Sequence, residues 1–216
     1  MKLSDLADRL TERLKLPLPG SIAHEPLRAT PIGELRPKFD HKVPAKPGSV
    51  LILLYEDNGQ IKFPLTKRPD YNGTHAGQVS LPGGKAEPGE DFIQTALRET
   101  EEEIGVSKSV VKVIGRLSNF FVIPSNYMIT PVVAYAGSKP DFIRQESEVV
   151  KILEGNLNSL LSSDAIQVKE IIAAKTYRLM APHFFIENEI VWGATAMMLN
   201  ELRVVLRELI ATNPLA

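Results

Sequence analysis

The 216-residue chain contains no cysteine, which excludes disulfide bonds, thiol nucleophiles and metal sites with cysteine ligands. It also lacks an excess of either charge, because 25 Lys and Arg residues and 26 Asp and Glu residues leave a net charge of −1. Proteins that hold nucleic acid along its phosphates need many basic contacts, so we expect no nucleic-acid partner. Any recognition of phosphate must depend on a few residues at one place.

Long hydrophobic runs are absent too, since no segment approaches the ~18 consecutive apolar residues that a membrane-spanning helix requires. We therefore expect no membrane partner and a cytoplasmic location. The N-terminal residues differ from a signal peptide because charges interrupt their apolar positions, and they predict a helix docked on the surface. Its apolar face also permits a homodimer, although packing within the chain explains the same pattern. The helical spacing is formed by Leu3, Leu6, Ala7, Leu10 and Leu14.

Proline is concentrated near the N-terminus, where residues 17–48 hold seven of the 16 prolines. Proline lacks a backbone N–H and fixes φ, so this segment cannot form a regular helix or a central strand. The whole chain, with 44% hydrophobic and 24% charged residues, has the composition of a globular protein. We predict that residues 1–44 form a helix and an extended wrap, and that residues 45–216 form one domain.

The order of apolar patterns after the wrap predicts an α/β fold. Two apolar runs, at residues 49–55 and 61–66, flank an Asp-Asn-Gly turn and predict a hairpin, in which Pro64 favours an edge position. Residues 149–161 fit either a helix or a strand. The remaining predicted elements are helices over residues 91–104 and 193–210 and strands over residues 110–117, 127–135 and 168–192.

The helix predicted over residues 91–104 has both ends marked. Asp91 and Gln94 form a capping box at its start, and Gly105 stands where a left-handed residue ends a helix. On the helical wheel its apolar side chains, together with Thr100, fall on one side. We therefore expect this side to face the core and the opposite side to remain polar.

Three glutamates, Glu99, Glu102 and Glu103, share an arc of about 100° on this helix, whereas Glu101 projects outside it. An acidic run on a helix is usually a solvated face. Here, like charges three and four residues apart destabilise the helix by ~0.2–0.5 kcal/mol each, and the C-terminal end of the helix dipole also disfavours anions. Arg98 offsets part of this cost through Glu102. A hard divalent cation would turn the repulsion into ligation, and oxygen ligands indicate Mg²⁺ or Mn²⁺.

The loop before this helix contains Gly83 and Gly84, followed by Lys85. Glycine lets a backbone approach a phosphate or a metal ion closely, so we expect Gly83 and Lys85 to contact the phosphates of a substrate. The loop is not a Walker A motif, because Ala86 stands where that motif has Ser or Thr. A Gly-Gly pair alone is usually a plain turn, and its position before the acidic helix is what favours a site.

Together these residues resemble the Nudix box. The match starts at Gly84, continues through Glu90 and Arg98, and ends at Val106, and it includes every charged and glycine position over 23 residues. The one departure is Thr100, where the family usually has an aliphatic residue. The resemblance implies a Nudix-type α/β/α sandwich around a mixed β-sheet and a metal-dependent hydrolase whose small-molecule substrate is a nucleoside diphosphate linked to another group.

The resemblance also implies roles for individual residues. Glu99 and Glu103 would be the principal metal ligands, Glu102 would join them directly or through water, and the carbonyl of Gly84 would add an oxygen. Glu90 and Arg98 would pair and hold the loop, with Gly105 ending the helix. The catalytic base stays open between two residues, Glu102 within the box and Glu148 outside it.

A second resemblance lies just upstream, in residues 65–84, and is similar to the extra signature of coenzyme A pyrophosphatases. Arg68, Gly77 and Pro82 to Gly84 match this signature. Gly73 stands where the signature has an arginine, which removes a natural partner for a phosphate. The smaller departures are Pro64, Pro69 and Leu81. The candidate phosphate contacts of this region and the loop are Lys67, Arg68, His75 and Lys85.

The sequence leaves the substrate open. Coenzyme A or a derivative, cleaved to 3′,5′-ADP and 4′-phosphopantetheine, is the leading interpretation. ADP-ribose, NADH or another nucleotide diphosphate derivative is the alternative, favoured if Gly73 has removed coenzyme A contacts. A sensor that binds a nucleotide without cleaving it is a third hypothesis, and the retention of every acid of the box speaks against it.

Overall fold

The computed structural model describes residues 2–70 and 76–212. Within these ranges five α-helices form, and the N-terminal helix and the acidic helix have the predicted positions. The expectation that residues 17–48 form neither a helix nor a central strand is wrong, because this segment contains the short helix Ser21–His24 and the first residues of the strand Lys46–Asp57, including Pro47. None of the helices in the described ranges is long and apolar enough to cross a bilayer. The helices are α1 (Leu3–Arg13), α2 (Ser21–His24), α3 (Phe92–Ile104), α4 (Leu157–Leu161) and α5 (Gly193–Thr212).

The strands occur in the predicted order, with additional short ones of two to four residues that apolar patterning does not reveal. The segment left open at residues 149–161 forms a strand followed by a short helix. The strands are β1 (Thr30–Pro31), β2 (Lys46–Asp57), β3 (Gln60–Lys67), β4 (Val79–Ser80), β5 (Gly83–Lys85), β6 (Val111–Arg116), β7 (Phe120–Val122), β8 (Tyr127–Ala136), β9 (Lys151–Asn156), β10 (Ile166–Ala173), β11 (Tyr177–Ile186) and β12 (Glu189–Trp192).

A mixed sheet forms the centre of the fold. Its order is β4-β3-β2-β8-β6, with β5 also paired to β2, β7 to β8 and β9 to β3. Strands β2 and β8 run parallel, whereas the other pairs are antiparallel. A second sheet has the order β1-β11-β10, with β12 paired to β11.

Strand β2 is buried on both faces. Successive side chains of a strand point to opposite faces, and here Val50, Ile52 and Leu54 belong to one hydrophobic core while Leu51 and Leu53 belong to another. The first core contains residues of α1 and α5, and the second contains residues of α3. The fold is therefore an α/β/α sandwich, which confirms the predicted class.

Helix α1 docks on α5 of the same chain. Its residues Leu3, Leu6 and Leu10 are buried, and Arg13 pairs with Glu208 of α5 at 2.7 Å. The apolar face that permitted a homodimer is thus covered within the chain. Intramolecular packing, the alternative left open by the sequence, accounts for the amphipathic pattern.

The expectation that Pro64 marks an edge strand is wrong. Strand β3 pairs with β9 along one side, and with β2 at its start and β4 at its end along the other side. Pro64 lies between the β2 and β4 pairings, where the strand needs no N–H donor. Its partner on β9, Glu154, donates its own N–H to the carboxylate of Glu187 at 2.9 Å instead. Proline is accepted here because a gap in the ladder serves as well as an edge.

Candidate active site

Helix α3 is fixed at both ends by the residues that the sequence marks. The Asp91 carboxylate accepts hydrogen bonds from the N–H groups of Ile93 and Gln94, each at 2.8 Å, and the Gln94 side chain accepts the N–H of Asp91 at 2.9 Å. Gly105 ends the helix in the left-handed region with φ of 73°. This capping box and glycine stop set the rotation of the helix and hence the direction of its glutamates.

Strand β5 lies directly against these glutamates. A Cβ at Gly84 would sit 2.5 Å from a carboxylate oxygen of Glu99, so any larger residue there would displace that carboxylate. Gly83, with φ of 151°, presses against Ser49 and Val50 of β2 and donates its N–H to Glu103 at 3.2 Å. The Gly-Gly loop and the acidic face of α3, which sequence reasoning treated as one constellation, are therefore in contact.

Glu103 is the most buried acid of this group, at 3% exposure. Burial raises its pKa to about 7, against the lowering effects of the Arg68 charge and of the hydrogen bond from Gly83, while the charges of Glu99 and Glu148 raise it further. A guanidinium nitrogen of Arg68 lies 3.7 Å from the carboxylate. The Glu103 carboxylate is thus buried with one distant cation as partner, which leaves its charge poorly compensated.

Glu99 and Glu102 both form an ion pair with the guanidinium of Arg98. Nη1 of Arg98 lies 3.0 Å from Glu99 and 2.9 Å from Glu102. Burial raises the pKa of Glu99, and the hydrogen bond from Arg98 opposes this shift. Glu102 is more than half exposed and turns toward the arginine. The contact between Arg98 and Glu102 confirms the sequence argument, whereas the contact with Glu99 was not foreseen.

Arg98 also holds the loop between β5 and α3. Its Nε and Nη2 donate to the two oxygens of Glu90, at 2.6 and 3.0 Å, and Nη2 donates to the carbonyl of Lys85 at 3.0 Å. Glu90 further accepts the N–H of Glu87 and the hydroxyl of Thr95, both at 2.9 Å. The hydrogen bonds from Arg98 first, and then that from Glu87, lower the pKa of Glu90 to about 2. Thr95 was missed by sequence reasoning, although its position one helical turn after the N-cap Asp91 indicates that it faces the start of the helix.

Glu148 approaches this group from a separate loop. The carbonyls of Glu103 and Ile104, at the end of α3, accept the N–H groups of Gln145 and Ile143, each at 2.9 Å. Glu148 follows in a turn in which its own N–H bonds to the carbonyl of Gln145 at 3.0 Å. Its charge contributes to the raised pKa of both Glu99 and Glu103. The loop thus brings Glu148 to the acids of α3, which no sequence pattern specifies.

The candidate phosphate contacts differ in their surroundings. Arg68 lies beside Glu103. Lys67 forms an ion pair with Glu189 of β12 at 2.6 Å. Lys85 is exposed on β5, next to the Gly-Gly pair. The predicted contact His75 and the departure Gly73 lie outside the described residues.

The donor chemistry of the site fits a hard divalent cation. Within residues 2–70 and 76–212, no group of three or more Asp, Glu or His side chains is already gathered as a set of metal ligands. Glu99 and Glu103 do converge on Gly83 and Gly84, and both supply carboxylate oxygens, of which those of Glu103 carry a poorly balanced charge. Oxygen donors of this kind suit Mg²⁺ or Mn²⁺. Glu102 would complete a set of three after leaving Arg98.

Residues 45–174 match the sequence model of a protein family described as the NUDIX domain. The chain belongs to the Nudix family. It is a Nudix hydrolase, a class of enzyme that generally uses divalent metal ions and that cleaves pyrophosphate bonds in derivatives of nucleoside diphosphates. The Nudix domain contains the whole box and the loop that carries Glu148.

Two relatives among bacterial proteins support this assignment. The chain is 36% identical over 139 residues to a Yersinia pestis (strain Pestoides F) protein described as an uncharacterized Nudix hydrolase NudL, over 64% of this chain and 69% of that protein. A Yersinia pseudotuberculosis (strain YPIII) protein of the same description matches with the same identity and coverage. The similarity therefore extends over nearly two thirds of the chain.

Solved Nudix structures have the same fold. The Nudix hydrolase RenU of M. smegmatis superposes with a TM-score of 0.53 at 16% identity, over 81% of this chain and 91% of that one. A MutT/nudix family protein of Enterococcus faecalis superposes with a TM-score of 0.50 at 14% identity, over 98% of this chain and 75% of that one. At these identities the likeness concerns the fold alone.

Proposed function

We propose that this Nudix hydrolase cleaves coenzyme A or a derivative of it to 3′,5′-ADP and 4′-phosphopantetheine. The observation that supports the proposal is the distance of 3.7 Å between Arg68 and Glu103. Arg68 belongs to the segment that resembles the signature of coenzyme A pyrophosphatases, and Glu103 belongs to the Nudix box. The two motifs adjoin in the sequence, and the fold brings residues 35 positions apart, one from each motif, close together.

Backbone pairing within the upstream segment supports the same proposal. Strands β3 and β4 pair through Thr66 with Ser80 and Lys67 with Val79, and the N–H of Arg68 bonds to the carbonyl of Gln78 at 3.0 Å. The two ends of the segment are thus held together. Arg68 lies near one of these ends and Gly83 follows the other, and both contact Glu103.

We assign the metal ligands to Glu99, Glu103 and Glu102 and to the carbonyl of Gly84. Mg²⁺ or Mn²⁺ bound there would neutralise charge on the phosphoryl oxygens and lower the pKa of the attacking water. Glu90 and Arg98 are positioning residues, because their double hydrogen bond fixes the loop relative to α3.

The remaining roles concern protons and phosphates. The base that takes the proton of the attacking water is Glu102 or Glu148, and the exposure of Glu148 beside Glu99 and Glu103 supports the latter. We assign substrate phosphates to Arg68, Lys85 and the backbone at Gly83, with Lys67 and His75 as further candidates. Lys67 would have to leave Glu189 first.

We propose residues 45–216 as the catalytic domain, residues 1–44 as its N-terminal extension, and the cytoplasm as its location. A homodimer stays a prediction. The substrate is a small nucleotide, without nucleic-acid or membrane partners.

A second candidate substrate class is favoured by Gly73. If the arginine missing at this position is needed for the 3′-phosphate, the enzyme would act on ADP-ribose, NADH or a similar nucleotide that lacks this phosphate. A sensor without catalysis is disfavoured, because the acids of the box are all retained.

Mass spectrometry of the products formed from coenzyme A with Mg²⁺, beside a metal-free control, tests the proposal. We expect 4′-phosphopantetheine and 3′,5′-ADP only with metal, and neither from the double variant Glu99→Gln/Glu103→Gln. ADP-ribose and NADH are incubated in parallel, and cleavage of either with intact coenzyme A would select the second candidate. Comparison of Glu148→Gln with Glu102→Gln assigns the base. The variant that lacks the base should show a lower kcat with little change in metal affinity.

A further inference from the structure

A cavity of about 620 Å³ opens on the α3 side of the central sheet, at the start of the helix. Ligand sites in proteins commonly have volumes of ~300–1,000 Å³. The strands β2 and β8 form its floor, and the loop between β5 and α3 forms one wall. The side chains that line it include Lys85, Glu90, Phe92, Asn119, Met128 and Thr130.

The cavity borders the candidate active site without containing its acids. Lys85 lines the cavity, and the residue before it, Gly84, touches the carboxylate of Glu99. Glu90 also lines the cavity and holds Arg98 with two hydrogen bonds. The pair of Glu90 and Arg98 therefore separates the cavity from the candidate active site and borders both. A substrate whose diphosphate lies at Glu99 can extend past Lys85 into the cavity.

Two large apolar side chains are left uncovered in this cavity. Phe92 is 39% exposed and Met128 is 38% exposed. The guanidinium of Arg116 lies over the ring of Phe92, at 5.6 Å from its centroid. Phe121, opposite Met128 in the ladder of β7 and β8, continues the apolar surface. An apolar wall beside a cation suits a flat aromatic ligand that carries negative charge.

Polar side chains also line the cavity. Oδ1 of Asn119 accepts hydrogen bonds from Arg116 and from the hydroxyl of Thr130, both at 3.1 Å. With Oδ1 engaged, the amide nitrogen of Asn119 is the group available as a donor. Lys85 has no ion pair among the described residues and supplies a positive charge at the rim.

We propose that this cavity binds the nucleoside end of the substrate, with the heterocycle against Phe92 and Met128 and a phosphate of the same nucleotide near Lys85 and Arg116. The inference rests on the proposed function, because it requires a substrate in which a nucleoside is joined to the cleaved diphosphate. The flexible, uncharged pantetheine arm offers neither a flat ring nor an anion for these groups. Phe92 and Met128 are thus specificity residues, distinct from the acids of the Nudix box.

Binding of the two separate products to the metal-free enzyme tests this assignment. By calorimetry, 3′,5′-ADP should bind, and Phe92→Ala should raise its Kd about tenfold, as expected for loss of one stacking contact. Phe92→Tyr should retain the affinity. The matched control is Phe185→Ala, which removes a phenylalanine that is 53% exposed on the second sheet and should leave the Kd unchanged. Thermal unfolding of each variant verifies that it is folded.

Three results would overturn the assignment. These are no binding of 3′,5′-ADP, an unchanged Kd in Phe92→Ala, or a loss of 4′-phosphopantetheine binding in that variant instead. Hydrolysis of coenzyme A by the wild-type enzyme is measured separately. Cleavage together with an unchanged Kd would reject the cavity and retain the function, whereas binding that depends on Phe92 without cleavage of coenzyme A would reject the substrate and retain a nucleotide in the cavity.

Discussion

Arg98 donates hydrogen bonds to both carboxylate oxygens of Glu90, at 2.6 and 3.0 Å, while its third nitrogen contacts Glu99 and Glu102. One guanidinium therefore connects the loop to the acids of α3. Only a planar group with donors on three nitrogens can make these contacts together.

Replacing Arg98 with lysine should lower metal affinity by about 10–100-fold, as is typical for residues that orient metal ligands. Lysine keeps the charge and loses the paired hydrogen bonds. Titration with Mn²⁺ followed by calorimetry measures the effect. Arg207→Lys on α5, where Arg207 donates to the carbonyl of Leu161, is the matched control. Equal metal affinities in both variants would show that the positive charge at residue 98 is sufficient to orient the metal ligands without the paired hydrogen bonds.

Glu103→Gln should separate catalysis from stability. We expect hydrolysis to fall about 100-fold or more, because a metal ligand contributes several kcal/mol to the reaction. The metal-free variant should nevertheless unfold at a higher temperature than the wild type, because burial of an amide costs less than burial of a carboxylate. Its side-chain oxygen can still accept the N–H of Gly83.

The control for this experiment is Glu101→Gln, which changes an exposed glutamate on the same helix. It should alter neither activity nor unfolding temperature, since Glu101 points away from β5. A lower unfolding temperature for metal-free Glu103→Gln would mean that the attraction between Glu103 and Arg68 outweighs the cost of burial.

Glu201 joins the N-terminal wrap to α5. This buried carboxylate accepts hydrogen bonds from Nε2 of His24 at 2.9 Å and from the N–H groups of Gly20 at 3.0 Å and Ser118 at 3.3 Å. Glu201→Ala should lower the free energy of unfolding by ~2–4 kcal/mol, because it leaves these buried donors without an acceptor. Denaturation by urea measures the change. Glu208→Ala, which removes a half-exposed acid of the same helix, should cost much less.

The same residue predicts a dependence of stability on pH. Burial alone would raise the pKa of Glu201, but the hydrogen bonds from His24, Ser118 and Gly20 prevail and lower it. Because the pKa is lower in the folded than in the unfolded state, this contribution is complete above about pH 4.5 and disappears as the pH falls through the folded-state pKa. Glu201→Gln should show a weaker loss of stability in acid than the wild type. An equal fall in the free energy of unfolding with decreasing pH for the two proteins would contradict this prediction.

The sequence predicts local features of this site well and distant ones poorly. The capping box of Asp91 and Gln94, the glycine stop at residue 105 and the shared arc of Glu99 and Glu103 all follow from spacing along one helix. Each depends on neighbours within a few residues, where helical geometry is constant. The family and its fold class follow from the same stretch.

Contacts between distant segments could not be read in this way. The short strands β4 and β5 lack the length in which alternation is recognisable, and the pairing of β3 with β9 depends on residues about 90 positions apart. The same limit applies to Arg68 and Glu148, whose approach to Glu103 depends on how loops close. Pro64 was misread for this reason, since the gap in its ladder arises only when β2 and β4 both pair with β3.

Gly105 connects the end of α3 to the loop of Glu148. With φ of 73°, the residue occupies a region that other residues enter at a cost, and a Cβ there would lie 2.8 Å from Cβ of Ile143. Gly105→Ala should therefore destabilise the protein by about 1–3 kcal/mol and displace the loop, so that kcat falls as well. Gly137→Ala is the control, because a Cβ at Gly137 meets no atom within 4 Å. Urea denaturation and steady-state kinetics of both variants measure the two effects. A fall in stability with an unchanged kcat would mean that the loop, and with it Glu148, has no part in the reaction, and would leave Glu102 as the base.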